Sequence, residues 1–313
     1  MKGSGDAMNT ESDLPSGATE AGSDVIGERR QLAGVAYRLL GSMTEAEDVV
    51  QEAYARWYTM SPQEQAAIDS PGGWLTTVAS RICLNLLSSA RMRRESYVGE
   101  WIPEPVPDLA EWSHGSAKSD PADRVSLDES VSMAFLVILE TMTPAERVAF
   151  ILHDVFRYSF AEVADVVGRT PAACRQLASV ARRRISDSHS VPNSAAETHI
   201  VRDFKRAWEA QDIATLISLL DPASTFTADG GGIIQAARQP IRGAEQIAQG
   251  CVTLLLRNPR LIINQHAVNG RAGLVTELNG ATVAVLAFDI ADDRIRQIWS
   301  VVNPTKLRLW ATD

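Results

Sequence analysis

The sequence has little of what secreted, membrane-spanning or metal-binding proteins need. Its three cysteines, Cys83, Cys174 and Cys251, are odd in number and widely spaced, which fits neither a disulfide framework nor a zinc site. No apolar run approaches the length that spans a bilayer, and the first residues are rich in Gly, Ser and acids, unlike a signal peptide. The five histidines form no pair at helical spacing. These absences predict a cytoplasmic protein without membrane association, metal or other cofactor.

The net charge of −9 argues at first against nucleic acid as a partner. The charge is unevenly distributed, however. Residues 81–94 hold four arginines and no acid, and residues 169–187 hold five arginines and one acid. Two basic islands in an acidic chain indicate focused contacts with DNA.

One region has the order of a helix-turn-helix motif. A capping box at Thr143 and Glu146 predicts the start of its first helix. A short helix follows from about Phe160 to Val167, and Gly168 is placed to end it in the left-handed conformation. Thr170 then caps a last, basic helix. Helix, tight glycine turn and basic helix together predict DNA binding in a major groove.

The last helix of this motif carries side chains suited to DNA. The small residues at its beginning let it enter a major groove. Guanidinium and amide groups one turn deeper can read base edges, and the arginines near its end can bind phosphates. The candidate DNA-binding residues are Thr170, Pro171, Ala172, Arg175, Gln176, Ser179, Arg182 and Arg183. A small helical bundle with a solvated basic face is the alternative interpretation.

Three helical stretches come before this motif. The first begins at about Glu28 and is broken at Gly41, after which Thr44 and Glu47 predict a capping box for the second. The outer face of the second helix is acidic, for which a solvated surface is the simpler explanation. The third, which opens at Pro71, interleaves polar side chains with arginines, and this pattern suits single-stranded or distorted DNA.

Residues 28–187 resemble the σ2 and σ4 domains of extracytoplasmic-function (ECF) RNA polymerase sigma factors. The resemblance rests on Gly41-Ser42 with the helix EAEDVVQEAYARW, on the helix WLTTVASRICLN and on the helix-turn-helix. It implies that Asp48, Gln51 and Glu52 bind the clamp of RNA polymerase. It implies that the helix-turn-helix reads the upstream promoter element. The residues implied to read and melt the downstream element are Trp74, Arg81, Asn85, Arg91, Arg93 and Arg94. Most members carry Asn and Asp where this chain has Arg81 and Asn85, which leaves its base preference open.

After Ser188 the pattern changes to helices followed by alternating strands, with Asn279-Gly280 as a strong hairpin turn and Asp292-Asp293 as a plausible one. This order predicts helices on a curved antiparallel sheet, a cone with an interior pocket, and it resembles the SnoaL-like, NTF2-type domain. The fold class is therefore multidomain: two all-α sigma domains, the second a helix-turn-helix, followed by an α+β cone.

Three short motifs resemble those of the SigJ-like subgroup of ECF sigma factors, which carries such a fused domain. WIPEP in the linker resembles WLPEP, Asp229 begins a DGGG motif, and NPTKL resembles NPDKL; Ile233 and Thr305 depart from the subgroup pattern. The resemblance implies that the linker docks against the C-terminal domain. The implied interdomain residues are Trp101, Ile102, Pro103, Glu104, Pro105, Asp229, Gly230, Gly231, Gly232, Asn303, Pro304, Lys306 and Leu307.

The predicted function is that of an alternative sigma factor. It would bind core RNA polymerase, recognise duplex upstream and melted downstream promoter DNA, and be regulated by its own C-terminal domain without a separate anti-sigma factor. The predicted domains are a disordered tail (1–27), σ2 (28–95), an acidic proline-rich linker (96–124), σ4 (125–188), a hinge (189–197) and the SnoaL-like domain (198–313).

Two alternatives stay open at this point. One is an ordinary helix-turn-helix regulator that does not bind polymerase. The other is a SnoaL-like enzyme with a DNA-binding anchor, for which Asp229 and His266 are the polar residues to inspect. A lone histidine in a strand is more often structural, and the glycines after Asp229 are better explained as a turn.

Overall fold

The computed structural model describes residues 18–95, 97–107, 129–186, 194–237 and 239–311. We call these parts, in chain order, the first helical domain (18–95), the linker segment (97–107), the second helical domain (129–186) and the C-terminal domain (194–311). Most of the predicted tail, most of the acidic linker and most of the hinge lie outside the described residues. The predicted domain boundaries stay a prediction.

The first helical domain is formed by α1 (Ala18–Leu40), α2 (Met43–Thr59), α3 (Pro62–Ala66) and α4 (Pro71–Glu95). Helix α1 begins before the predicted start at Glu28. Once a helix has a nucleus, each further residue adds one backbone hydrogen bond, so the helix can extend beyond its apolar pattern. The predicted capping box at Thr44 and Glu47 is wrong. Ser42 is the cap of α2, and its hydroxyl accepts a hydrogen bond from the amide of Glu45.

The second helical domain contains α5 (Met133–Glu140), α6 (Pro144–Phe150), α7 (Phe160–Val167) and α8 (Pro171–Ser186). The predicted capping box of Thr143 and Glu146 is present at the start of α6. A π-helical turn follows α6 and carries the chain to α7. Gly168 ends α7 with φ 70°, and the hydroxyl of Thr170 accepts from the amide of Ala173 at 3.2 Å. The predicted helix-turn-helix is therefore present.

The C-terminal domain begins with α9 (Ser194–Glu209) and α10 (Ile213–Leu219) and later contains α11 (Ala244–Arg257). Its strands are β1 (Leu220–Asp229), β2 (Ile241–Arg242), β3 (Ile262–Val268), β4 (Arg271–Leu278), β5 (Ala281–Ala291) and β6 (Arg294–Val301). They form one sheet in the order β2-β1-β6-β5-β4-β3. Both predicted hairpin turns connect strands as expected, at residues 279–280 and 292–293. The sheet is not purely antiparallel, because β1 pairs with β6 in parallel.

Both faces of this sheet are apolar and covered. Alternate residues such as Leu286 and Phe288 face a core formed with α9, α10 and α11. Their neighbours Val285 and Ala287 belong to a second cluster on the opposite face. Because successive side chains of a strand point to opposite faces, β5 is buried on both sides. The second face therefore needs a partner from outside the domain.

Helix α5 and the linker segment are that partner. Met133 of α5 and Ile102 of the linker segment pack on the second face together with Leu307 and Trp310 from the end of the chain. The other side of α5, with Phe135, packs into the helical domains. A helix that is apolar all round is stable in water only when it is covered all round, and α5 lies between two domains.

The two helical domains share one hydrophobic core. Residues from α1, α2 and α4 and residues from α5 to α8 form a single buried cluster. Three arginines add polar contacts across the boundary: Arg38 Nε donates to Ser130 Oγ at 2.7 Å, Arg147 Nη1 to the Leu39 carbonyl at 2.8 Å, and Arg81 Nη2 to the Asp165 carbonyl at 2.8 Å. The helical domains are thus packed against each other.

Candidate functional site

The linker segment and the C-terminal domain meet at a group of polar contacts that we call the linker node, formed by Tyr97, Ile102, Asp229, Asn303 and Lys306. Asp229 ends β1 and is fully buried. Its carboxylate accepts from the Tyr97 hydroxyl at 2.6 Å, the Ile102 amide at 3.1 Å and the Lys306 ammonium at 2.7 Å. Its own turn supplies a further donor, the Gly231 amide, at 3.0 Å. A buried carboxylate needs such partners, and here most of them come from other segments.

Lys306 is the counter-charge of the linker node. Besides its ion pair with Asp229, its ammonium donates to the Ile102 carbonyl. The same group lies 4.2 Å from the centre of the Trp101 ring and 5.4 Å from that of Tyr97, so it also makes cation–π contacts. One ammonium therefore joins the NPTKL motif to the linker and to the DGGG motif.

The glycines of the DGGG motif are needed for close approach. Gly231 has φ 62°, and a Cβ placed there would lie 2.3 Å from Asn303 Nδ2. Gly230 leaves room for a carbonyl of its own turn, and Gly232 packs on the side chain of Val98. Asn303 in turn donates to the Tyr97 hydroxyl at 3.0 Å. The WIPEP, DGGG and NPTKL motifs therefore lie together in the structure. Tyr97, which was not among the residues predicted from the sequence, lies between them.

Glu104 connects the linker segment to the first helical domain. It is buried, and its carboxylate accepts from the Met43 amide at 2.9 Å and the Ser42 hydroxyl at 3.2 Å. It therefore caps α2 from outside, at the positive end of the helix dipole. Burial raises the pKa of this carboxyl above its ordinary value, although the hydrogen bonds to Met43 and Ser42 act in the opposite direction.

Aromatic and proline contacts complete the docking of the linker segment. Gly41, with φ 68°, leaves no room for a Cβ because the Trp101 ring would lie 2.8 Å from it, and Pro103 lies close as well. At the other end, the indole of Trp310 donates to the Pro105 carbonyl at 2.9 Å. All five residues of WIPEP lie at this junction, and Pro304 and Leu307 lie in the adjoining C-terminal turn.

The residues predicted to bind polymerase lie on the outer face of α2. Asp48, Gln51 and Glu52 are all exposed, and Glu52 forms an ion pair with Arg56 one turn later at 2.8 Å. The face is acidic and has no buried partner among the described residues.

The residues predicted to bind DNA divide into accessible and engaged groups. Thr170 is exposed directly before α8, Pro171, Ala172, Arg175, Gln176 and Arg183 are exposed on α8, and Asn85 is exposed on α4. Ser179 and Trp74 are half-buried. The side chains of Arg91, Arg93 and Arg94, at the end of α4, lie outside the described part of the structure. The Arg175 guanidinium lies 5.1 Å from the centre of the Phe160 ring.

Two of the arginines have intramolecular partners. Arg182 Nε binds the Asp154 carboxylate at 2.7 Å, and Arg81 binds the Asp165 carbonyl of α7. The second contact joins the helix predicted to read melted DNA directly to the helix-turn-helix. Arg81 is thus oriented by the packing of the two helical domains.

Asp229 and His266 do not form a common polar site. His266 is exposed on β3, whereas Asp229 is buried at the end of β1. The sheet order places these strands four spacings apart, roughly 19 Å. A cavity of about 410 Å³ opens next to Asp229, between Val98 and the loop 230–237, and none of the described residues that line it is titratable. Among the described residues, no cluster of three or more potential ligands could hold a metal ion.

Comparison with known proteins decides the family. The Sigma-70 region 2 model matches residues 26–93 and the Sigma-70, region 4 model matches residues 132–185. The ECF RNA polymerase sigma factor SigJ of Mycobacterium tuberculosis H37Rv is 38% identical over 291 residues, which is 89% of this chain and 90% of SigJ. The chain belongs to the family of ECF RNA polymerase sigma factors.

Further relatives agree with this assignment. The probable ECF RNA polymerase sigma factor SigI of the same organism is 34% identical over 287 residues, covering 89% of this sigma factor and 92% of SigI. The crystal structure of M. tuberculosis SigJ superimposes with a TM-score of 0.71 at 34% identity, covering 91% of this chain and 97% of that one. The predicted family and the predicted order of two helical sigma domains followed by an α+β domain are confirmed. The first helical domain is σ2 and the second is σ4.

The described helices do not meet the requirements for crossing a membrane. None of them, within the parts of the chain listed above, combines the length and the apolar character that a bilayer crossing requires.

Proposed function

We propose that this sigma factor binds core RNA polymerase through α2, directs it to a promoter through α4 and α8, and is regulated by its own C-terminal domain. Polymerase and promoter DNA are the partners expected of the family. The regulation is supported by one observation above all. The linker segment is hydrogen-bonded at the same time to σ2, through Glu104, and to the C-terminal domain, through Asp229.

Binding of polymerase is assigned to the acidic face of α2. The side chains of Asp48, Gln51 and Glu52 are exposed although the helix is packed on its other side, and a face of this kind is free to meet a basic partner. Glu104 fixes the beginning of the same helix, so the linker segment and the proposed polymerase surface share one rigid element.

Promoter recognition is assigned to α8 and α4. The beginning of α8 is exposed and can enter a major groove, where Arg175 and Gln176 reach base edges and Arg183 reaches phosphates. Asn85 and the arginines at the end of α4 would meet the melted strand. An exposed strand is bound through backbone charge and stacked bases, and flipping a base costs a few kcal/mol that these contacts offset.

The C-terminal domain is proposed to keep σ2 and σ4 in the packed arrangement. It binds the linker at the linker node and σ4 through α5, so it restrains both σ domains without a separate anti-sigma factor. In this arrangement Arg81 is bound to α7, and promoter DNA has to compete for it. Release of the linker node would free the two σ domains to separate on polymerase.

Catalysis by the C-terminal domain is not part of the proposal. The carboxylate of Asp229 already accepts four hydrogen bonds, three of them from the linker segment and Lys306. His266 lies roughly 19 Å away, and the described residues that line the neighbouring cavity include no titratable group, so these residues form no acid–base pair with Asp229. We place the action of the protein in the cytoplasm, where core polymerase and promoters are found.

The test is run-off transcription with core polymerase on promoters from the protein's own genome. The full chain is compared with a variant carrying Asp48→Lys and Glu52→Lys, and with the control Glu245→Lys on the exposed start of α11. We expect promoter-specific transcripts from the full chain and the control. The double variant should bind core polymerase at least roughly tenfold more weakly, since like charges oppose a basic surface. Equal binding by all three proteins would refute the assignment of α2.

A further inference from the structure

The first residue of one hairpin tip in the C-terminal domain is buried, although hairpin tips normally face solvent. Asn269 and Gly270 connect β3 to β4, and Asn279 and Gly280 connect β4 to β5. Both turns have the same sequence and the same left-handed backbone, with φ 52° and 73° in the first and φ 55° and 81° in the second. Asn279 is exposed, whereas Asn269 is 0% exposed. The β3–β4 turn is therefore covered by other parts of the chain at Asn269, whereas the β4–β5 turn is not covered at Asn279.

Asn269 contacts three different parts of the chain. Its amide donates to the Val106 carbonyl at 2.9 Å, and its Oδ1 accepts from the Val106 amide at 3.1 Å. Its Nδ2 donates to the Tyr37 hydroxyl at 2.7 Å and to the Val131 carbonyl at 2.9 Å. The partners belong to the linker segment, to σ2 and to σ4. One side chain thus satisfies an acceptor and two donors with groups from all three.

Tyr37 extends these contacts to the WIPEP motif. It is fully buried in α1, and its hydroxyl donates to the Glu104 carbonyl at 2.7 Å. Burial raises the pKa of Tyr37 well above its ordinary value, so the hydroxyl keeps its proton and can donate. Two consecutive hydrogen bonds therefore connect the C-terminal domain, through Tyr37 of σ2, to the linker segment.

We propose that the β3–β4 turn is the docking site by which the C-terminal domain recognises the packed arrangement of σ2, linker and σ4, with Asn269 as its positioning residue. The inference deepens the proposed regulation and rests on it. If any one of the three segments moves away, a buried donor or acceptor of Asn269 loses its partner, which costs more than an exposed hydrogen bond. The contacts of the turn consequently form and break together.

The test compares Asn269→Asp with Asn279→Asp in the full chain. Both changes add one negative charge at an Asn-Gly turn, and aspartate tolerates the left-handed backbone as asparagine does. In Asn269→Asp, one carboxylate oxygen can still accept from the Val106 amide. The Nδ2 amino group is replaced by the other carboxylate oxygen, an acceptor that faces the Tyr37 hydroxyl and the Val131 carbonyl. Hydrogen exchange of backbone amides is measured by mass spectrometry on peptides that cover 37–43 and 102–106.

We expect the exchange in these peptides to be roughly tenfold faster in Asn269→Asp and unchanged in Asn279→Asp, because a buried donor is lost only in the first. Peptides from β5 and β6 report whether the C-terminal domain stays folded, and they should exchange at the wild-type rate in both. Equal exchange of 37–43 and 102–106 in the two variants would overturn the proposal.

A second variant keeps the proposal testable if Asn269→Asp does not fold. Tyr37→Phe removes a hydroxyl from σ2 and should speed exchange in the peptide of the β3–β4 turn, since coupling between two sites is reciprocal. No change there would also contradict the docking site. Neither readout involves polymerase. If exchange responds but transcription by Asn269→Asp equals that of Asn279→Asp, the docking site stands and the proposed regulation fails.

Discussion

Replacing Lys306 by Met removes the counter-charge of the linker node while it keeps most of the side chain's length. The change leaves the Asp229 carboxylate buried beside the Ile102 amide and the Tyr97 hydroxyl, without its cation. The Ile102 carbonyl also loses a donor. The expected consequence is that the linker segment leaves the C-terminal domain.

The free-energy cost of Lys306→Met follows from the burial of the ion pair that Lys306 forms with Asp229. The side chain of Lys306 is 11% exposed and that of Asp229 is 0% exposed, at a separation of 2.7 Å. Removal of one partner from such a buried pair costs about 3–5 kcal/mol, because the other charge is left uncompensated. The pair of Lys205 and Glu209 on α9 has the same length, but its side chains are 24% and 42% exposed. Exposed pairs of this spacing contribute about 0.3–0.5 kcal/mol, so Lys205→Met is a matched control.

The assay is hydrogen exchange at the amide of Ile102 and its neighbours, which reports release of the linker segment without requiring two-state unfolding of the whole chain. Lys306→Met should accelerate this exchange by at least about a hundredfold, and Lys205→Met should leave it within about a factor of two. Adding Asp229→Asn to Lys306→Met should recover part of the loss, since the uncompensated charge is then gone. Equal exchange in the two single variants would refute the reasoning.

Three further predictions concern the node and the DNA contacts. Because burial raises the pKa of Glu104, the docked linker takes up a proton at a higher pH than the free linker does; docking should therefore strengthen as the pH is lowered from neutral toward the ordinary range of a carboxyl group, and Glu104→Gln should lose this dependence in denaturant titrations of linker release. Gly231→Ala should weaken docking of the linker segment by about 1–3 kcal/mol, because the added Cβ would overlap Asn303. Gly250→Ala, on the open surface of α11, should instead stabilise that helix by up to about 1 kcal/mol. Thermal unfolding of the two variants would show the difference. Arg183→Gln should weaken binding to specific and scrambled upstream duplexes equally and lower the slope of log affinity against log salt by about 1.

Local signals were sufficient to predict the σ domains. The capping box at Thr143, the left-handed stop at Gly168 and the cap at Thr170 each depend on chemistry within a few residues, and the structure has all three. Ser42 and Thr44 show where such signals fail. Both are hydroxyl residues near the start of α2, and the choice of Ser42 is linked to Glu104, which caps the same helix from another part of the chain.

The interdomain contacts could be predicted only in part. The WIPEP, DGGG and NPTKL motifs are recognisable from resemblance, but the hydrogen bonds of Tyr97 and Asn269 have no local signature. Asn269 and Asn279 are the clearest example, because two identical Asn-Gly turns differ only in what other domains place against them. Burial by a distant segment is decided by tertiary packing, which a periodic pattern of residues does not contain.

The most direct test of the account compares run-off transcription by the full chain and by a truncation that ends at Ser190. The shared core of σ2 and σ4 involves described residues up to Ile185, so the truncation keeps it. We expect promoter-specific transcripts from both proteins and a larger amount from the truncation, because the C-terminal domain restrains the σ domains in the full chain. Identical or lower output from the truncation at every polymerase concentration would contradict the proposed regulation. The absence of any transcript and of any binding to core polymerase by both proteins would contradict the proposed action on polymerase itself.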